Sequence, residues 1–131
     1  MCVTDNPQNI QAGNRVSLLV SECPDPVTGG VVRVYHDAIG SLVADIAIGN
    51  DVRPQNIEFL TRVGAGFEPT YVQVVVSLGH EWRGAKVDGE TPRQFRDGIF
   101  AELHAAAERE GISEDKAHND FWDEVDGRKW A

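Results

Sequence analysis

The sequence predicts an α+β domain: a five-stranded antiparallel β-meander followed by a C-terminal helical hairpin. Apolar residues recur at every second position from 14 to 78, as in strands, and at every third or fourth from 91 to 126, as in helices. The alternating runs are joined by short segments rich in glycine, proline and asparagine, which favours antiparallel neighbours over crossovers. Residues 1–13 lack an apolar run and form a polar N-terminal tail in this scheme, leaving 14–131 as a single domain. A chain of 131 residues buries enough surface to need no disulfide or metal staple.

The elements follow in order. Val16, Leu18 and Val20 alternate across 14–22, and Cys23-Pro24-Asp25-Pro26 with Thr28-Gly29-Gly30 then opens a long turn. The return strand covers 31–35 and ends at His36-Asp37 and Ile39-Gly40. Leu42, Ala44, Ile46 and Ile48 supply one face of a third strand, closed by Gly49-Asn50-Asp51. Ile57, Phe59, Thr61 and Val63 fit a fourth, although Ile57, Leu60 and Val63 also share one helical face, so strand and helix compete over 54–63. After Gly64-Ala65-Gly66, the set Val72, Val74, Val76 and Leu78 gives a fifth strand.

Thr91-Pro92 opens a helix with a capping threonine, proline at the first helical position and Gln94 three residues after the cap. Phe95, Ile99, Leu103 and Ala106 form its inner stripe, and Gly111 ends it. Ser113 caps a second helix whose first turn carries Glu114 and Asp115, as the helix dipole favours. Ala117, Phe121 and Val125 line its apolar side, and Asp126-Gly127 stops it. Two such stripes need the sheet or a second copy to cover them, which is compatible with a homodimer.

Twelve basic residues against twenty-one acidic ones give a formal charge of −9, which argues against coating duplex nucleic acid, since phosphate neutralisation needs a basic face. The excess suits solubility, or a surface complementary to a basic protein partner. No apolar run approaches membrane-spanning length and residues 1–13 carry no secretory pattern, so a cytoplasmic location without membrane association is expected. The two cysteines, Cys2 and Cys23, lie far apart with no metal-knuckle or redox spacing, and free thiols are expected. Phosphate-loop, dinucleotide and nucleophile-elbow patterns are missing, and no cofactor or metal is assigned.

One place breaks a local rule. The helix from Thr91 opens with Arg93 and Arg96, although cations at a helix N-terminus oppose its dipole. An anion bound there offsets the cost, because free backbone N–H groups, the Thr91 hydroxyl and two guanidinium forks all donate to it. Arg93, Arg96, Phe100 and His104 fall on one side of the helix at 100° per residue, roughly. Trp82 and Arg83 precede it and could supply a stacking surface and a further cation. The competing explanation is that both arginines pair with Glu81, Glu90 or Asp97 and bind nothing.

The expected function is therefore a non-catalytic binding protein holding an anionic small molecule, with a nucleotide the fitting chemistry. Its ligand-binding residues are Trp82, Arg83, Thr91, Arg93, Arg96, Phe100 and His104, with none assigned to catalysis. Two alternatives compete. The acidic run Asp120, Asp123, Glu124 and Asp126 with Trp122 and Trp130 suits an inhibitor or immunity-type contact with a basic protein. His36-Asp37 and His80-Glu81, each after an expected strand, suit a small metal-dependent or acid–base enzyme if the sheet gathers them. His80-Glu81-Trp82-Arg83-Gly84 begins like a zinc-protease HExxH pattern, but Gly84 stands where the second histidine belongs. His118, between Phe121 and Trp122 on a helical wheel, is expected in the core or at a dimer interface.

Overall fold

The computed structural model describes residues 6–18, 27–37, 39–49, 51–84 and 92–128. It is an α+β fold with one antiparallel five-stranded sheet and three helices, the last two forming a C-terminal pair. The strands are β1 (Arg15–Leu18), β2 (Val27–His36), β3 (Leu42–Ile48), β4 (Asp51–Asn56) and β5 (Leu60–Gly64). The helices are α1 (Tyr71–Gly84), α2 (Pro92–Arg109) and α3 (Glu114–Val125). No helix among the described residues is long and apolar enough to cross a membrane.

Strand order is β4-β3-β2-β1-β5, so four strands form a meander and β5 returns to the far edge beside β1. A single 3₁₀ turn, Ile57–Phe59, joins β4 to β5. Four residues reach at most about 14 Å, whereas four strand spacings in a flat sheet measure at least about 19 Å. The sheet is therefore strongly curled. β2 turns the corner: its first half pairs with β1, its second half with β3, and a bulge falls between Val31 and Arg33. Gly29 and Gly30 make the bend sterically feasible, because a Cβ at Gly30 would enter the Phe67 ring and one at Gly29 would meet the Ala47 carbonyl at 2.8 Å.

The concave side encloses Val16, Leu18, Val31, Ala44, Ile46 and Leu60. Ile10, 1% exposed, joins them, so residues 6–13, expected as a polar tail, carry part of this core. Asn6 holds the Ile10 backbone on both sides, accepting from its N–H and donating to its carbonyl. The convex side presents Val32 and Ala47 to the helices. β3 is buried on both faces, which accounts for its apolar composition, interrupted only by Asp45.

Three expectations are corrected. The alternating set Val72, Val74, Val76 and Leu78 belongs to a helix: α1 buries Tyr71, Val74, Val75 and Leu78, spaced i, i+3, i+4 and i+7, and leaves Val72 exposed. Thr70 and Gln73 form a reciprocal capping box at its start, each side chain accepting from the other's backbone N–H. Consecutive valines hid this helix behind a strand-like alternation. The segment 54–63 divides into the end of β4, the 3₁₀ turn and β5, and buries Ile57 and Leu60 while Phe59 and Val63 stay exposed. The count of five strands therefore holds with a different fifth member, and Thr28-Gly29-Gly30 lies inside β2 instead of in a turn. The ends of the last two helices match the sequence signals: Ser113 accepts from the Lys116 N–H, and Gly111 and Gly127 both take positive φ.

Candidate functional site

The expected ligand residues occupy three different places. At the start of α2, Arg93 is exposed (85%), and among the described residues it pairs only with Asp97 on the same helix, at 3.9 Å. Arg96 is exposed too and makes no ion pair among the described residues. Thr91 lies outside the described residues. Phe95, between the two arginines, stacks on Trp82 from the last turns of α1, with ring centroids 6.0 Å apart. Trp82 is thus brought to the arginine turn, but as part of a packed cluster: it also meets Phe121 and Trp122 edge-on at 5.8 and 5.4 Å.

Arg83 turns away from that place. Its Nη1 donates to the Glu124 carbonyl at 2.8 Å, tying the end of α1 to the end of α3. Phe100 is an interior link, packed against Phe121, Trp122, His118 and His104 at 5.6, 6.1, 4.9 and 6.4 Å. A continuous row of rings therefore runs between the helices from Phe95 and Trp82 at one end to the imidazoles at the other.

His104 belongs to that other end. Its ring lies parallel to His118 with Nε2 atoms 2.8 Å apart, and Glu114 Oε1 is 3.5 Å from His104 Nε2. His118, expected in a core or dimer interface, is half-buried and faces His104 across the α2–α3 junction. The chain carries a signal for this meeting: Glu114 and His118 sit one turn apart on one face of α3. It points to a ligand set only once the helical turn places His104 opposite.

His80 and Glu81 face the sheet. Glu81 pairs with Arg33 at 2.6 Å, and His80 Nδ1 lies 3.4 Å from Asp45. Asp45, wholly buried, also accepts from the Tyr35 hydroxyl at 3.1 Å and the Ser77 hydroxyl at 2.7 Å. The bulge before Arg33 brings Arg33 and Tyr35 onto the helix-facing side, opposite Asp45 and Val43. His36 alternates to the other face, and Asp37 accepts from the Ile39 and Ser41 N–H groups in the following turn. The pairs His36-Asp37 and His80-Glu81 thus have different partners. Solvent does not reach the Asp45 carboxylate, so this network suits anchoring α1 to the sheet better than handling a substrate.

Burial, and then the neighbouring Asp45 carboxylate, push the Tyr35 hydroxyl far above its ordinary range; burial and the hydrogen bond to Asp120 do the same to Tyr71. Both phenols stay neutral in the fold yet ionise near their ordinary value of about 10 when unfolded. Stability from this pair is fully present below pH ~10 and is lost as pH rises beyond it. Alkaline titration followed by circular dichroism should show a steepening loss of stability above that pH, and the steepness should fall in Tyr35→Phe and Tyr71→Phe.

No protein-family model, curated protein or solved structure matches the chain.

Proposed function

We propose that this chain is a non-catalytic binding protein that takes an anionic small molecule at the first turns of α2. The supporting observation is the pair Arg93 and Arg96, both exposed at a helix N-terminus, with only the 3.9 Å contact to Asp97 between them and any carboxylate among the described residues. Two guanidinium forks and the dipole's positive end complement a phosphate or carboxylate. The adjacent Trp82–Phe95 stack offers an apolar margin, which fits a nucleotide better than a bare ion. The ligand contacts in this form are Arg93, Arg96, the backbone N–H groups of their turn and the edge of Trp82, with Thr91 as a further donor. Phe100 supports the site from within, and Arg83 and His104 serve elsewhere.

A basic protein partner at the end of α3 has less support. Asp123 and Asp126 share Arg128, Asp120 is buried with Lys116 and Tyr71, and Glu124 lies beside Arg83. Most of that acidity is answered within the chain.

Thermal-shift titration with nucleoside mono-, di- and triphosphates tests the proposal. A binding nucleotide raises the melting temperature with concentration by mass action. Arg93→Ala/Arg96→Ala is expected to weaken binding at least about tenfold, since each charge-assisted hydrogen bond contributes roughly 1.5–3 kcal/mol. The same variant without ligand should melt no lower than wild type, because two cations have left the positive end of a dipole. Absence of any shift, or an undiminished shift in the double variant, would refute the assignment.

A further inference from the structure

We propose that His104, Glu114 and His118 form a binding site for one divalent transition-metal ion of the zinc class. Among the described residues, these are the three His, Cys, Asp or Glu side chains whose ligand atoms all lie within 4.8 Å of one another. The inference does not depend on the anion site, which lies at the opposite end of α2.

Three observations carry it. The first is the meeting of two Nε2 atoms at 2.8 Å, which requires one ring to donate and the other to accept. Two charged rings cannot share that contact, and a cation between them gives both lone pairs a partner. The second is spacing. Zinc–nitrogen bonds of about 2.0–2.1 Å in a tetrahedron put neighbouring ligand atoms about 3.3 Å apart. The observed separations of 2.8 Å between the imidazoles and 3.5 Å from His104 to Glu114 bracket that value, and all three ligand atoms lie within 4.8 Å of one another.

The third is support and access. Phe100 packs against both imidazoles, Ser113 fixes the start of α3, and Glu114 and His118 share one face of that helix. His104 and Glu114 are 40% and 71% exposed, so an ion has a path in. Both also border a hollow of about 370 Å³ at the α2–α3 turn, whose rim includes Glu108 and Ile112. Three protein ligands leave a fourth position for water or a small ligand from that hollow, as in an open zinc site. Two imidazoles and one carboxylate favour zinc, cobalt or nickel over magnesium or calcium, which prefer all-oxygen shells.

The experiment is calorimetric titration of the metal-free full-length chain with Zn²⁺, repeated with Co²⁺ to read coordination from its visible absorption. Wild type should bind one equivalent, and cobalt should give the intense bands of a four- or five-coordinate ion. Loss of a group that merely orients a ligand costs roughly 10–100-fold in metal affinity, so His118→Ala or His104→Ala should cost at least about 100-fold. Glu114→Gln, at an exposed position that keeps the fold, should cost at least about tenfold, while its neighbour Asp115→Asn, with the same charge change, should cost almost nothing. Should the histidine variants unfold without metal, the Glu114 and Asp115 pair decides alone. No saturable one-to-one binding by wild type, octahedral cobalt spectra, or equal affinity in Glu114→Gln and wild type would overturn the site.

Discussion

Phe121→Ala is expected to lower the unfolding free energy by about 3–5 kcal/mol, the range for removing a large aromatic side chain from a packed core. Phe121 has no exposed surface and meets Trp82, Phe100 and Trp122, each from a different helix or turn. Removing it opens a cavity at the junction of all three helices, and neighbours anchored in separate elements can collapse into it only partly. The loss extends beyond stability. Trp82 at the arginine turn and Phe100 behind the imidazole pair both lean on this ring, so nucleotide response and metal affinity should fall together. Phe121→Leu, which keeps most of the volume, should cost far less in denaturant unfolding. Equal midpoints for wild type and Phe121→Ala would mean that the aromatic row is not the structural link between the two ends of α2.

Asp45→Ala is expected to cost about 3 kcal/mol, from one wholly buried carboxylate that holds the Tyr35 and Ser77 hydroxyls. Each hydroxyl left in the interior without an acceptor costs roughly 1–3 kcal/mol, and relief from burying the carboxylate offsets only part of that. Asp45→Asn keeps one acceptor oxygen and should lose less. The sharper test is non-additivity. Removing the donors as well, in Asp45→Ala with Tyr35→Phe and Ser77→Ala, should be less harmful than the sum of the single changes, because no orphaned group remains. Strict additivity would contradict a cooperative network and would leave α1 anchored by packing alone.

The fold class was legible because the governing signals were local. Period-two runs at Val16–Leu18 and Leu42–Ile48, the Ser113 cap and the Gly111 and Gly127 stops each act within a few residues. The misplaced element, α1, came from valines at 72, 74, 75 and 76, whose spacing satisfies both periods; the Thr70–Gln73 capping box decides between them. The corner in β2 was hidden for a different reason. Glycines that mark turns in sequence also permit close packing inside a strand, and only the Phe67 ring over Gly30 separates the two uses.

The candidate site was legible only where charge opposed a dipole. Arg93 and Arg96 stand out because their neighbours along the helix suffice to make them costly. His104 and His118 lie fourteen residues apart on different helices, and their partnership depends on the α2–α3 turn, which no short-range pattern encodes. Asp45 was likewise invisible. In sequence it is one polar residue in an apolar strand, and its partners Tyr35, Ser77 and His80 come from two other elements.

The most direct test of the anion-binding account is a ¹H–¹⁵N NMR titration of the full chain, with the nucleotide that gives the largest thermal shift and with inorganic phosphate in parallel. Anion binding at this turn should give saturable shifts concentrated in the backbone amides at the start of α2 and in the Trp82 indole N–H, stronger for the nucleotide, with α3 and the sheet unmoved. Saturable shifts clustered elsewhere, or none at α2 up to millimolar ligand, would contradict it.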